Sequence, residues 1–361
     1  MRALLAPLSE LGEYEEIREM LARGRTSAAL SGCADSQKLH MIYGLGEGFR
    51  RKLIITFNDL RAKELYEDYQ FYDRNVMLYP AKDLIFFQAD IHGNQLTKER
   101  IKVFRRMAEG VPLTVVTTFD ALMAPQVSLE DWRQYVISID RRSCVVEHEL
   151  AGDLAGLGYI RCDQVEEPGQ FSIRGGIVDI FDLTEENPYR IELWGDEVES
   201  IRSFDVLSQR SIEKLEAVSI YPAAELILSK EELSTGLKKI QKEAKKQAEV
   251  LRKQMKTEEA HRIEVQNREL TEALTELGIS YNAINLDSYV RYFFPELSSF
   301  ADSFAGEGAC VFLDEPLRIK EHVDAVELEF RESMAHRAEK GYILPGQMDV
   351  LFSAAAVAAG L

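Results

Sequence analysis

Gln170-Phe-Ser-Ile-Arg174-Gly-Gly176-Ile-Val-Asp-Ile-Phe181 and Tyr189-Arg-Ile-Glu-Leu-Trp194-Gly-Asp196 are the two stretches from which the fold is read. In each, apolar residues recur at period two and run into a two-residue turn, Gly175-Gly176 or Gly195-Asp196. That pattern predicts antiparallel β-hairpins. In the second stretch Ile191 and Leu193 point one way, while Arg190, Glu192 and Trp194 point the other. With the aliphatic side toward the core, a tryptophan and an arginine stand together on the outer face. Aromatic and guanidinium groups are the side chains that most often anchor protein–protein contacts. The plainer reading makes Arg190 and Glu192 a solvated strand face, with Trp194 paired to a ring across the sheet.

Around these hairpins the pattern changes. Lys52-Leu-Ile-Ile-Thr-Phe57 and Leu113-Thr-Val-Val-Thr-Thr118 are continuous apolar or β-branched runs separated by helical periodicity, the signature of a parallel α/β sheet. A short strand is expected over Ser27–Leu30, with helices near Leu11–Leu21, from Ser36, after Asn58 or Asp59, and over Thr97–Ala108. Residues 127 to 221 read as a separate α+β unit of short strands with a helix near Gly152–Leu157. From Ser229 to about Leu277 the chain is helical and rich in Lys and Glu, which reads as a solvated face. Ala309-Cys-Val-Phe-Leu313 then reads as a strand returning to the first core, which makes the middle unit an insertion. The expected division is 1–126, 127–221, 222–352 and a terminal tail at 353–361, the alanine-rich end reading as a cut from something longer.

Composition narrows the function. With 361 residues, 46% hydrophobic and 29% charged, the chain has the balance of a soluble globular protein of two or three domains. A net charge of −18 argues against a DNA-wrapping surface, which needs a basic stripe to neutralise phosphates. Cys33, Cys144, Cys162 and Cys310 lie far apart and read as buried, reduced thiols, and with no bilayer-length apolar run the chain is expected in the cytoplasm with no membrane contact. His148, in Glu147-His-Glu149, lacks metalloprotease spacing.

One segment has the outline of a phosphate loop without its chemistry. In Gly32-Cys-Ala-Asp-Ser-Gln37-Lys38-Leu39, Gln37 stands where a glycine lets backbone N–H groups close on phosphate, and Leu39 where a hydroxyl holds Mg²⁺. Lys38 therefore reads as an ordinary exposed lysine. Asp314 and Glu315, at the end of an apolar strand, would be the Mg²⁺-binding acids of an ATPase; without a competent loop they read as caps of the following helix.

The run Pro168–Phe181, with Tyr189–Ile201 and Phe204-Asp-Val-Leu-Ser-Gln-Arg210, closely resembles the bacterial transcription-repair coupling factors (Mfd), and less closely the excision-repair protein UvrB. Pro80-Ala-Lys-Asp83, Thr97-Lys-Glu-Arg100 and Thr117-Thr118 extend the resemblance along the chain. It implies a degenerate helicase-like (RecA-like) α/β core in two halves, with an inserted α+β domain that binds UvrA. It implies Arg174, Arg190 and Trp194 as the UvrA contacts, the family often having Phe at the last position. It also implies a non-catalytic adaptor with no cofactor of its own. ATP and Mg²⁺ would serve a translocase in the rest of such a protein, which would also reach RNA polymerase and DNA and make intramolecular contacts with this module. UvrB's DNA-clamping hairpin is represented only by Leu84–Gly93, whose Phe86 and Phe87 read as core. The alternative is an active UvrB-like, ATP-dependent enzyme on damaged DNA, using Lys38, Asp314 and Glu315.

Overall fold

The structure, a computed structural model, describes residues 2–24, 27–82, 93–275, 286–306 and 308–361. Helices α1 (Gly12–Ala22) and α2 (Asp35–Leu45) precede strand β1 (Arg51–Thr56), followed by α3 (Asp59–Tyr69), β2 (Val76–Tyr79), α4 (Gly93–Ala108) and β3 (Leu113–Thr118). The middle of the chain forms β4 (Ile137–Asp140), α5 (Glu147–Gly156), β5 (Ile160–Arg161), β6 (Gln170–Arg174), β7 (Ile177–Ile180), β8 (Tyr189–Trp194), β9 (Glu197–Phe204), β10 (Ser211–Leu215) and β11 (Ala217–Ile220). Last come α6 (Lys230–Lys253), α7 (Thr257–Thr275), β12 (Ala309–Leu313), α8 (Pro316–Glu339) and α9 (Ala354–Gly360).

The first sheet is parallel with order β12-β1-β3-β2, so the chain does return to its first core after the middle region. β3 is buried at all six positions, as a strand covered on both faces must be. The second sheet has order β10-β9-β8-β7-β6-β5, antiparallel except between β5 and β6. β4 pairs with β11, bringing together the points where the chain enters and leaves this region. Both expected turns form. Gly175 and Gly176 have φ of 56° and 82°, as a type I′ turn requires, and Gly195 has φ of 63°.

The two sheets share one core. Val178, Ile191 and Ile201 belong to the same buried cluster as Phe104, Leu122 and Trp132. At the junction the indole Nε1 of Trp132 donates to Ala224 O at 3.1 Å. Beside it the buried Arg100 donates through Nε and Nη2 to Glu225 (2.8 and 3.1 Å) and through Nη1 to Pro80 O (2.7 Å), with its guanidinium 3.9 Å from the Tyr79 ring centroid. Burial alone would raise the Glu225 pKa, but the charges of Arg100 and Lys82 hold it below the ordinary value.

Several expectations are corrected. Ser27–Leu30 is no strand; with a single large apolar residue it finds no sheet partner and stays exposed. The helix expected near Gly152 begins at Glu147. The helix pair expected from Ser229 does form, its two members parted at 254–256 where Met255 takes φ of 64°. The terminal tail holds a helix, capped by Ser353, with Val357 buried in the core. None of the four cysteines is buried, and Cys144 is exposed. Phe86 and Phe87 lie outside the described residues.

Candidate docking site and the degenerate nucleotide loop

Pairing of β7 with β8 sets Asp179 opposite Arg190. The Asp179 carboxylate is buried and accepts a fork from Arg190, Nε at 2.6 Å and Nη2 at 2.7 Å, together with Nη2 of Arg174 at 3.2 Å. Charge-assisted, bidentate geometry of this kind fixes the plane of a guanidinium as well as its charge. The hydrogen bonds to Asp179 raise the Arg190 pKa above the ordinary arginine value. The Arg190 guanidinium also lies 4.2 Å from the centroid of the buried Phe204 ring and donates through Nη2 to Gln209 Oε1 at 2.9 Å.

Arg190 is therefore not a free outward arm. Its side chain is only 13% exposed, against 50% for Arg174, because a cross-strand acid and a ring draw it flat onto the sheet. Trp194 behaves as expected. It is 79% exposed at the end of β8, with Glu197 opposite it on β9 rather than a ring. Between them, Glu192 accepts from Ser200 at 2.6 Å and pairs with Arg202; the Ser200 hydrogen bond, then the Arg202 charge, lower its pKa. The Gly176 N–H donates to Glu147 of α5 at 2.9 Å, tying the first turn to the helix beside it.

Asp179, Phe204 and Gln209 are site-building residues that sequence reasoning missed. An acid inside Ile177-Val-Asp-Ile180 was the available signal. Its partner could not be read, because β7 and β8 are joined by the long connection 181–188 rather than by a tight turn that fixes register.

At the second candidate site the structure replaces an exposed lysine with a closed network. Lys38 pairs with Asp35 at 3.3 Å, with Asp314 at 3.4 Å and with Glu315, leaving its side chain 24% exposed. Asp314 is buried and also accepts from Thr56 Oγ1 (3.1 Å) and Arg61 Nε (3.0 Å), and Arg61 reaches Asp35 at 3.1 Å. The Glu315 hydrogen bond is the main cause of the raised Lys38 pKa, outweighing partial burial. Glu315 stands at the N-cap of α8, yet its side chain makes no cap hydrogen bond; its carboxylate turns to Lys38 instead, from a left-handed backbone at φ 57°. Gly32 keeps a φ of 80°, Gln37 is exposed, and Leu39 is buried as a core residue of α2. These residues do not fit a magnesium nucleotide, since both acids are spent on Lys38 and no hydroxyl follows it. No group of three or more His, Cys, Asp or Glu able to hold a metal ion occurs among the described residues, and no described helix is long and apolar enough to cross a membrane.

Residues 137–226, which include Arg174, Asp179, Arg190, Trp194 and Gln209, match the family model of the UvrB interaction domain. Over 341 residues, 93% of this chain, the sequence is 32% identical to the transcription-repair-coupling factor of Bacillus subtilis. The chain is homologous to the transcription-repair-coupling factors. A Staphylococcus aureus transcription-repair-coupling factor is 30% identical over 234 residues, covering 64% of this chain. UvrABC system protein B of Kosmotoga olearia is 27% identical over 372 residues, 96% of this chain and 55% of that protein. The chain spans 28% of the Bacillus transcription-repair-coupling factor and 20% of the Staphylococcus one.

Proposed function

We propose that this chain is a non-catalytic adaptor that couples transcription to nucleotide excision repair by docking UvrA on the Arg174–Arg190–Trp194 face. One observation carries the reading. Within the stretch that matches the UvrB interaction domain, two guanidiniums converge on a single buried acid, and the strand that carries one of them ends in a tryptophan 79% exposed to solvent. An indole and fixed guanidiniums are the side chains that dominate binding energy at interfaces, and fixing them beforehand lowers the entropy lost on association. Asp179 acts here as a positioning residue. In this reading residues 1–126 and 222–352 are the two halves of an ATPase-like scaffold and 127–221 is the docking unit. ATP-driven translocation and the contacts with RNA polymerase and DNA belong to the remainder of a longer protein, which would also fold back onto this module.

The direct test is titration of this chain against purified UvrA. Trp194→Ala and Arg190→Ala should weaken the complex while the fold persists; affinity unchanged in both variants would sink the proposal. Calorimetry with ATP and Mg²⁺ tests the scaffold role, and binding heat abolished by Lys38→Ala would restore the enzyme reading.

A further inference from the structure

The connection between β9 and β10, residues 205–210, is more tightly built than a surface turn needs to be. The Asp205 N–H donates to Arg210 O at 2.9 Å and the Gln209 N–H to Asp205 O at 2.8 Å. Ser208 donates both its N–H (2.8 Å) and its hydroxyl (2.6 Å) to Asp205 Oδ1. Gln209 holds φ of 57°, a left-handed conformation unusual for a residue other than Gly, Asn or Asp. Its side-chain amide joins two regions, Nε2 donating to Val206 O at 2.8 Å and Oε1 accepting from Arg190 Nη2 at 2.9 Å. The loop is thus fastened to the same guanidinium that Asp179 fixes.

What this scaffold holds out is Leu207, 94% exposed, the most exposed of the large apolar side chains described. Single exposed leucines are ordinary on protein surfaces. Here the leucine sits on a loop whose backbone is already fixed, so binding has little further order to impose on it. Strained backbone held by its surroundings tends to occur at functional sites, and Gln209 is such a residue. The placement also suits one footprint. From Trp194 to Arg190 is four residues of strand, about 13 Å at ~3.3 Å per residue, and the loop adjoins Arg190. That length lies within an interface of standard size, about 800 Å² per partner.

We propose that Leu207 is a further anchor of the docking face, received by an apolar depression on UvrA, and that Gln209 positions it. This rests on the docking reading above. The partner surface it describes has hydrogen-bond acceptors for the guanidiniums between two apolar slots, one for the indole and one for the leucine.

The test is the dissociation constant for purified UvrA across Leu207→Ala, Leu207→Met, Gln209→Ala and Trp194→Ala, with melting temperatures in parallel. Leu207→Ala should weaken binding about five- to tenfold with an unchanged melting temperature, leucine being a lesser anchor than tryptophan. Leu207→Met, which keeps the apolar bulk, should stay within about twofold of the parent. Gln209→Ala should weaken binding by less than Leu207→Ala and add little to it in the double variant, because both act through the same loop. If Trp194→Ala weakens the complex while Leu207→Ala stays within about twofold, the inference falls and the docking reading stands. If neither weakens it the inference falls, and the docking reading falls with it when Arg190→Ala is also without effect.

Discussion

The docking face and the loop-and-acid network are built from the same parts, basic side chains and carboxylates within hydrogen-bond reach, and they differ in how the charges balance. At the edge of the parallel sheet, Lys38 and Arg61 face Asp35, Asp314 and Glu315, so acids outnumber bases and every charge has a partner. On the antiparallel sheet, Arg174 and Arg190 share the single carboxylate of Asp179, which leaves one guanidinium charge in excess at that cluster, on the strand whose far end carries the exposed indole. A network that satisfies itself offers little to a ligand. One that fixes its donors without exhausting them is ready for a partner.

The difference can be broken first at its buried end. Asp314→Ala would leave Lys38, Arg61 and Thr56 without their shared acceptor; Lys38 and Arg61 keep other carboxylates, so the loss is that of the charge-assisted hydrogen bonds, roughly 1.5–3 kcal/mol. Urea denaturation should show that loss while UvrA affinity is retained, and an unmoved midpoint would mean the network contributes no stability. Trp194→Ala should do the reverse, with about 2 kcal/mol lost from UvrA binding and no fall in melting temperature.

A finer contrast lies within the docking face itself. Arg190→Ala should cost stability as well as binding, on the order of 1–3 kcal/mol, because it strips the fork from a buried carboxylate. Arg174→Ala should leave stability within about 0.5 kcal/mol, its side chain being half exposed. Equal melting temperatures for the two variants would contradict the positions assigned here. The smallest effect is acid sensitivity. The Glu192 pKa is lowered in the folded state, so its contribution is fully present above its unfolded value of about 4.3 and is lost as pH falls through the folded one. Glu192→Gln should flatten the stability profile on that acid side, and an unchanged slope would show that Ser200 and Arg202 do not stabilise the carboxylate.

Local patterns carried much of this structure. Gly175-Gly176 and Gly195-Asp196 marked the hairpin turns, β-branched runs marked the parallel strands, and the apolar run at Ala309–Leu313 announced the return to the first sheet. Contacts between distant residues were hidden. Glu315 meets Lys38 across 277 positions, and nothing near either residue says that a helix-capping acid will turn away from its helix. The flattening of Arg190 was equally out of reach, since it depends on strand register across a long connection and on Phe204 from a third strand. Trp194 was readable because period-two alternation alone decides which side of a strand it occupies.

The buried Arg100–Glu225 fork has a mechanical consequence. It clamps the segment leaving the antiparallel sheet to a helix of the parallel one, beside a continuous apolar core. With no loose hinge at that exit, cargo seated on Trp194 would travel with the whole body like a load on a rigid crane arm, its heading set by the framework that carries it.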